Sequence, residues 1–266
     1  MGGRLRPFGA SGPGDPAVRC SCPTRAAALI EQAVAAEHPD AVVLPETFNT
    51  GFFPREHLDV LAEGAGPRTR ALFGPLARRL GVHIVAGSVA DRRGSHIYNT
   101  AYVFDRTGAC AAVYDKTHRL SPLGEDKAFA PGDRLCRFTL DGVRCGLLIC
   151  YDVRFPEAAR TLALGGLDIL FVVSQWPARR AFHLRTLLTA RAIENQCFTV
   201  GCNACSQAGP IVFGGGSVIL DPWGRTLAEC GPSEDRCTAD CDPRLAAEVR
   251  AALPVFADRR PTLYRI

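Results

Sequence analysis

Cys150 ends the apolar run Gly146-Leu147-Leu148-Ile149 and is followed at once by Tyr151-Asp152-Val153-Arg154-Phe155-Pro156-Glu157. The run reads as a buried strand, and the Pro-containing stretch as a sharp exit into a helix. A thiol at that junction lies beside helix N-terminal N–H groups, which favour a thiolate and can hold an oxyanion. The bland reading is a small buried hydrophobe. Two other strand ends bear on the choice. Ala41-Val42-Val43-Leu44 stops at Pro45-Glu46, and Ala109-Cys110-Ala111-Ala112-Val113-Tyr114 stops at Asp115-Lys116. A carboxylate can take a thiol proton and later activate water. An ammonium lowers a thiol pKa and meets charge developing on a substrate oxygen. Three unrelated loop residues would have the same spacing.

The elements that must position these residues alternate between helix and strand, so the class is α/β. In open α/β sheets the strand ends are where ligands bind. Thr24 is expected to cap a helix to about Glu37, ahead of the strand at 41–44. A helical region follows over about 68–80, which Gly74-Pro75 should bend or split. Strands are expected at about 82–89, 98–104 and 109–114. Asp141-Gly142 is a hairpin signal between 135–140 and 143–149. A helix over 156–164 leads into strand 168–173, and a longer helix covers about 180–195. Short strands near 197–202, 211–213, 217–220, 225–230 and 236–241 precede a last helix over 243–253. No Gly/Ser-rich linker or repeat divides the 266 residues, so one domain is expected.

Three blocks resemble the carbon–nitrogen hydrolase (nitrilase) superfamily, in its order. They are Leu44-Pro45-Glu46-Thr47-Phe48, Tyr114-Asp115-Lys116-Thr117-His118, and Leu148-Ile149-Cys150-Tyr151-Asp152-Val153-Arg154-Phe155-Pro156-Glu157. Gly124-Glu125, Ser174-Gln175-Trp176-Pro177 and Ala190-Arg191-Ala192-Ile193-Glu194-Asn195 extend the likeness, which runs from about Ala26 to the end. Asn49-Thr50-Gly51-Phe52 and the ending Arg260-Pro261-Thr262-Leu263-Tyr264 lean toward the small bacterial ω-amidase-like members. The resemblance implies a four-layer α-β-β-α sandwich and association into a homodimer or larger homo-oligomer. It implies hydrolysis of a small amide through a thioester on Cys150, with Glu46 as the base and Lys116 and the Tyr151 N–H holding the oxyanion. Glu125 would support Lys116. No metal or organic cofactor is needed for these steps. A nitrilase or an N-carbamoyl amino acid hydrolase on the same scaffold is the alternative.

Several residues keep two readings. Arg154 could bind a substrate carboxylate with its guanidinium fork, or pair with Asp152 or Glu157 as a clamp. Trp176 could wall the pocket or pack in the core. Glu194 and Asn195 close a helix and read as structural; His118 and His183 could touch substrate, though a satisfied structural histidine is the commoner case.

The family's first strand is the one departure. Residues 1–23 are rich in Gly and Pro and hold no long apolar pattern, so no regular central strand is expected there. The net charge of +4 is spread along the chain without a basic, aromatic-interleaved cluster, which argues against nucleic-acid binding. No apolar run approaches the ~20 residues of a membrane span, and no secretory h-region precedes the first helix. A soluble, cytoplasmic enzyme is expected. Twelve cysteines then read as thiols of a reducing compartment. Cys197, Cys202 and Cys205 form C-x₄-C-x₂-C, with Cys230 a conceivable fourth ligand, which keeps a non-catalytic metal or redox protein open. Strand geometry opposes it, since Cys197 and Cys202 would point to different faces. Cys20-Ser21-Cys22 and Cys237-x₃-Cys241 are weaker signals.

Overall fold

A computed structural model describes residues 3–7, 22–51, 57–62, 64–205 and 207–264. In chain order its elements are β1 (Gly3–Pro7), α1 (Cys22–Glu37), β2 (Ala41–Val43), α2 (Leu58–Ala62), α3 (Ala65–Leu80), β3 (His83–Arg93), β4 (His96–Phe104) and β5 (Cys110–Asp115). Then come α4 (Glu125–Ala128), β6 (Cys136–Leu140), β7 (Val143–Ile149), α5 (Pro156–Leu164), β8 (Ile169–Ser174), α6 (Ala181–Asn195) and β9 (Phe198–Asn203). The two-residue strands β10 (Gln207–Ala208) and β11 (Ile211–Val212) precede β12 (Val218–Leu220), β13 (Thr226–Glu229), β14 (Ala239–Cys241) and α7 (Pro243–Ala252).

Two six-stranded sheets result, in the orders β14-β1-β2-β3-β4-β5 and β13-β12-β9-β8-β7-β6. Period-two alternation sorts their side chains into layers. Ala41 and Val43 of β2 pack with Val85, Val103, Leu147, Phe171 and Val200 between the sheets. Val42 and Leu44 face the other way, against Ile30 and Ala33 of α1 and Phe73 and Leu76 of α3. On the far side, Ala158 and Leu162 of α5 and Leu184 and Leu188 of α6 cover the second sheet. The layers are therefore α-β-β-α, as expected. The Cys202 thiol of β9 crosses the interface to donate to the Val43 carbonyl, at 3.5 Å. Cys197 sits beside the Arg191 carbonyl of α6 instead. Among the described residues, no three His, Cys, Asp or Glu side chains are grouped to hold a metal ion.

Local chemistry places most boundaries. Asp141 (φ +47°) and Gly142 (φ +84°) both take the left-handed conformation that a tight β6–β7 hairpin needs. Helix α1 begins at Cys22, two residues before Thr24, so Thr24 is inside it and caps nothing. Helix α3 runs unbroken through Pro75 to Leu80, where Gly81 (φ +67°) stops it.

One expectation is overturned. Residues 1–23 do contain a central strand: β1 pairs parallel with β2, Leu5 opposite Ala41, and antiparallel with β14, Gly3 opposite Cys241. Five residues suffice, with Gly3 and Pro7 at the ends, where a strand tolerates them. Backbone N–H and C=O groups make a ladder regardless of side chain, so a composition argument over the whole segment misjudged a short slot between two strands. Residues 8–21, including Cys20 and Ser21, lie outside the described residues.

Candidate active site

Glu46, Lys116 and Cys150 are each carried by the turn after a strand. Glu46 follows β2. Its turn is laced to β3, where Ser88 Oγ accepts the Thr47 N–H (3.0 Å) and the Ser88 carbonyl accepts the Phe48 N–H (3.2 Å). Gly87 (φ +58°) makes this possible, because a Cβ there would lie 2.0 Å from the Pro45 carbonyl oxygen. Lys116 follows β5 and donates its N–H to the Asn99 carbonyl of β4, at 2.9 Å. Glu125 opens α4. Cys150 follows β7 with φ +49°, a left-handed conformation that costs a non-glycine residue about 1–3 kcal/mol. A five-residue 3₁₀ turn, Cys150–Arg154, follows before α5.

Lys116, 3 % exposed, lies between two buried carboxylates. Its Nζ donates to Glu46 Oε1 at 3.0 Å and to Glu125 Oε1 at 2.6 Å. Glu46 also accepts Asn99 Nδ2 on Oε1 (2.8 Å) and the Gln175 N–H on Oε2 (3.0 Å). Glu125 Oε2 accepts the Leu120 N–H at 2.6 Å. Every bond to these carboxylates comes from a donor, the pattern of ionised acids. Burial works against the Lys116 charge, but Glu46 and Glu125 outweigh it and hold the ammonium well above its usual pKa. At Cys150, burial and the Glu46 charge push the thiol well up, against the opposing pull of Lys116. The sequence suggested a thiol lowered by a neighbouring ammonium; the tertiary structure adds a desolvated carboxylate on the other side, and the balance reverses. A neutral thiol beside an ionised carboxylate is arranged for proton transfer during attack rather than for a standing thiolate.

Three buried residues brace the Cys150 turn. Asp152 accepts the Ile149 N–H (2.9 Å) and the Tyr114 hydroxyl (2.7 Å) on Oδ2, and the His118 N–H (2.9 Å) on Oδ1. This ties the Cys150 turn to the Lys116 loop. Burial and the Asp152 charge push the Tyr114 hydroxyl far up, so it stays a donor. Arg191 of α6 gives both Nε (3.1 Å) and Nη2 (2.8 Å) to the Val153 carbonyl, and its Nη1 pairs with Glu194 at 2.7 Å. The sequence offered Asp152 only as a possible partner of Arg154 and gave Arg191 no role. Both stand inside quoted blocks, and an Asp two residues past a strand-end thiol was the available signal.

The pocket over these groups is lined by Glu46, Lys116, Glu125, Cys150, Tyr151, Arg154 and Trp176, and also by Thr50, Phe129, Arg179, Arg180 and Ile211. All seven expected site residues thus meet at one cavity. The Arg154 guanidinium carbon stacks 4.6 Å from the Trp176 ring centroid, and its Nη2 is 3.4 Å from His183 Nδ1. Among the described residues Arg154 makes no ion pair with Asp152 or Glu157. Trp176 meets both of its readings: it is 3 % exposed and also walls the pocket. His118 is half-buried, its Nδ1 2.8 Å from Asp152 and its ring stacked 3.7 Å from that of Phe155.

Residues 24–251 match the family model described as carbon-nitrogen hydrolase. The chain belongs to the carbon–nitrogen hydrolase family. It is an enzyme of amide hydrolysis. The 2-oxoglutaramate amidase of Bacillus subtilis (strain 168) is 43 % identical over 228 residues, covering 86 % of this chain and 88 % of that protein. The omega-amidase NIT2 of Homo sapiens is 31 % identical, covering 91 % of each chain. A crystal structure of the carbon-nitrogen hydrolase from Helicobacter pylori G27 superposes with a TM-score of 0.91 at 26 % identity, over 99 % of this chain and 97 % of that one. No helix of the described residues is long and apolar enough to cross a membrane.

Proposed function

We propose that this carbon–nitrogen hydrolase is an ω-amidase: it takes the ω-amide of a dicarboxylic or 2-oxo-dicarboxylic acid, of the 2-oxoglutaramate or succinamate type, and releases ammonia and the diacid. Cys150 attacks the amide carbon as its proton passes to Glu46. The oxygen, now negative, is met by Lys116 and the Tyr151 N–H. Glu46 returns the proton to the leaving nitrogen, ammonia departs, and a thioester remains. Glu46 then activates water to hydrolyse it. Glu125 keeps Lys116 aimed and charged. No step needs a metal or an organic cofactor.

The observation that carries the substrate class is Arg154. A guanidinium set over the Trp176 ring, with no ion pair among the described residues, at the same pocket as Cys150, is prepared for a carboxylate. Held at one end by that fork, a short acid amide presents its other end to the thiol. The names of two relatives, 2-oxoglutaramate amidase and omega-amidase, agree with this chemistry. The test is Arg154→Lys, which keeps the charge and loses the fork. KM for succinamate should rise at least tenfold, with KM for a neutral aliphatic amide nearly unchanged, a ratio in keeping with the ~1.5–3 kcal/mol of a charged hydrogen bond. Equal effects on both substrates would make Arg154 a structural residue and remove the carboxylate preference.

A further inference from the structure

Two cysteines that the catalytic reading leaves unused, Cys230 and Cys237, meet at one carbonyl. Cys230 follows β13 and donates its N–H to the Ser217 carbonyl at 2.8 Å. Cys237, across the loop before β14, brings its thiol to the same oxygen at 3.8 Å. Cys230 and Cys237 thus meet at one carbonyl oxygen, close enough for the two thiols to act on each other. The exposed loop between them is anchored on α1 by Arg25 to Glu234 (2.8 Å) and Arg236 to Glu37 (3.2 Å), so the pairing does not depend on a free segment. Cys230 is buried, and Cys237 is half-exposed.

Ser217 also leads inward. Its Oγ accepts the Asn203 N–H at 3.0 Å and donates back to the Asn203 carbonyl at 3.3 Å. Asn203 in turn holds the backbone of the pocket wall: Oδ1 accepts the Trp176 N–H at 2.7 Å, and Nδ2 donates to the Gly215 carbonyl at 2.8 Å. The residue before Trp176 is Gln175, whose N–H bonds Glu46 at 3.0 Å. A buried hydrogen-bonded chain therefore runs from the thiol pair to the wall that Arg154 stacks on.

We propose that Cys230 and Cys237 form a thiol–disulfide exchange site that takes a low-molecular-weight disulfide, and that closing their bond slows turnover by displacing Ser217 and, through Asn203, Trp176. Cys237, the accessible thiol, loses its proton to solvent and attacks one sulfur of the small disulfide, expelling one small thiolate. Cys230 then gives up its proton and displaces the second. Two protein thiols are oxidised, one small disulfide is reduced to two thiols, and two electrons and two protons balance. A sulfur–sulfur bond of about 2.05 Å replaces a non-bonded approach, and the Cys237 proton leaves the Ser217 carbonyl. A pocket wall displaced by a fraction of an ångström is enough to slow turnover by about tenfold.

The full chain is incubated with oxidised glutathione, capped with N-ethylmaleimide and digested without reduction. The expected product is a Cys230–Cys237 cross-linked peptide carrying no glutathione and reversed by dithiothreitol. Turnover of a neutral amide should fall about tenfold and return on reduction. Cys237→Ser, with Cys237→Ala as a second variant, should neither cross-link nor lose turnover; inactivation that persisted in them would come through Cys150 instead. A bond from Cys230 to Cys205, or glutathione retained on Cys237, would overturn the site. A cross-linked enzyme turning over at the reduced rate would overturn the coupling.

Discussion

Replacing Lys116 with methionine keeps the length of the side chain and removes its charge. In the native site that charge lies 3.0 Å from Glu46 and 2.6 Å from Glu125, with all three groups at most 5 % exposed. At an effective dielectric of about 20, each contact is worth roughly 5–6 kcal/mol before desolvation is subtracted. Breaking a buried pair by deleting one partner costs about 3–5 kcal/mol net. At ~2–4 °C per kcal/mol for a chain of this size, Tm should drop by about 6–20 °C. Turnover should fall by about 10²–10³ through loss of an oxyanion donor. The double variant Lys116→Met/Glu125→Gln separates these effects. It removes one of the two stranded carboxylates, so Tm should recover by several degrees while turnover stays low. Differential scanning calorimetry and single-turnover assays on the four members of the cycle measure both quantities. A double variant no more stable than Lys116→Met would refute the electrostatic account. Normal turnover in Lys116→Met would refute the catalytic one.

Other outcomes follow from the same geometry. Glu46 is the second cause, after burial, that raises the Cys150 thiol; Glu46→Gln should therefore speed iodoacetamide labelling of Cys150 at pH 8 while turnover falls at least 100-fold, about the range seen on losing a positioned acid–base group. Labelling that slows along with turnover would contradict the assigned balance. Arg191→Met frees the Val153 carbonyl and should cost about 1.5–3 kcal/mol, with kcat reduced more than KM, because Arg191 acts on the nucleophile turn and touches no substrate. Unchanged kcat would remove it from the positioning of Cys150. Burial pushes Cys136 up to about 11 and Cys197 up to about 12. Each folded thiol stays neutral where the unfolded one ionises, so the folded state binds more protons. Stability is then full below about pH 8.5 and falls by ~1.4 kcal/mol per pH unit per thiol as pH rises toward 11. Cys197→Ala should flatten that alkaline slope in urea titrations, and an unchanged slope would exclude this thiol as a source.

The candidate site of this protein is assembled from short contiguous blocks, and that is why it was legible. Glu46, Lys116 and Cys150 each stand at the end of an apolar run, and a strand end puts its next residue at the sheet edge whatever lies elsewhere in the chain. The hairpin at Asp141-Gly142 and the helices after Pro156 and before Gln196 were equally local, since turn residues and helical periodicity act within a few positions. Strand β1 was not, because its place depends on a slot between β2 and β14 more than 30 residues away in sequence on one side and over 230 on the other. Nor was the state of Cys150. A residue's type does not say which charges will lie beside it or how much water will remain, and those decide whether a thiol is raised or lowered. Arg154 shows the same division. The sequence named a cation four residues past the thiol; only the tertiary structure, which sets the Trp176 ring against its guanidinium and occupies Asp152 with Tyr114 and the Ile149 N–H, decided that it lines the pocket instead of pairing with its neighbours.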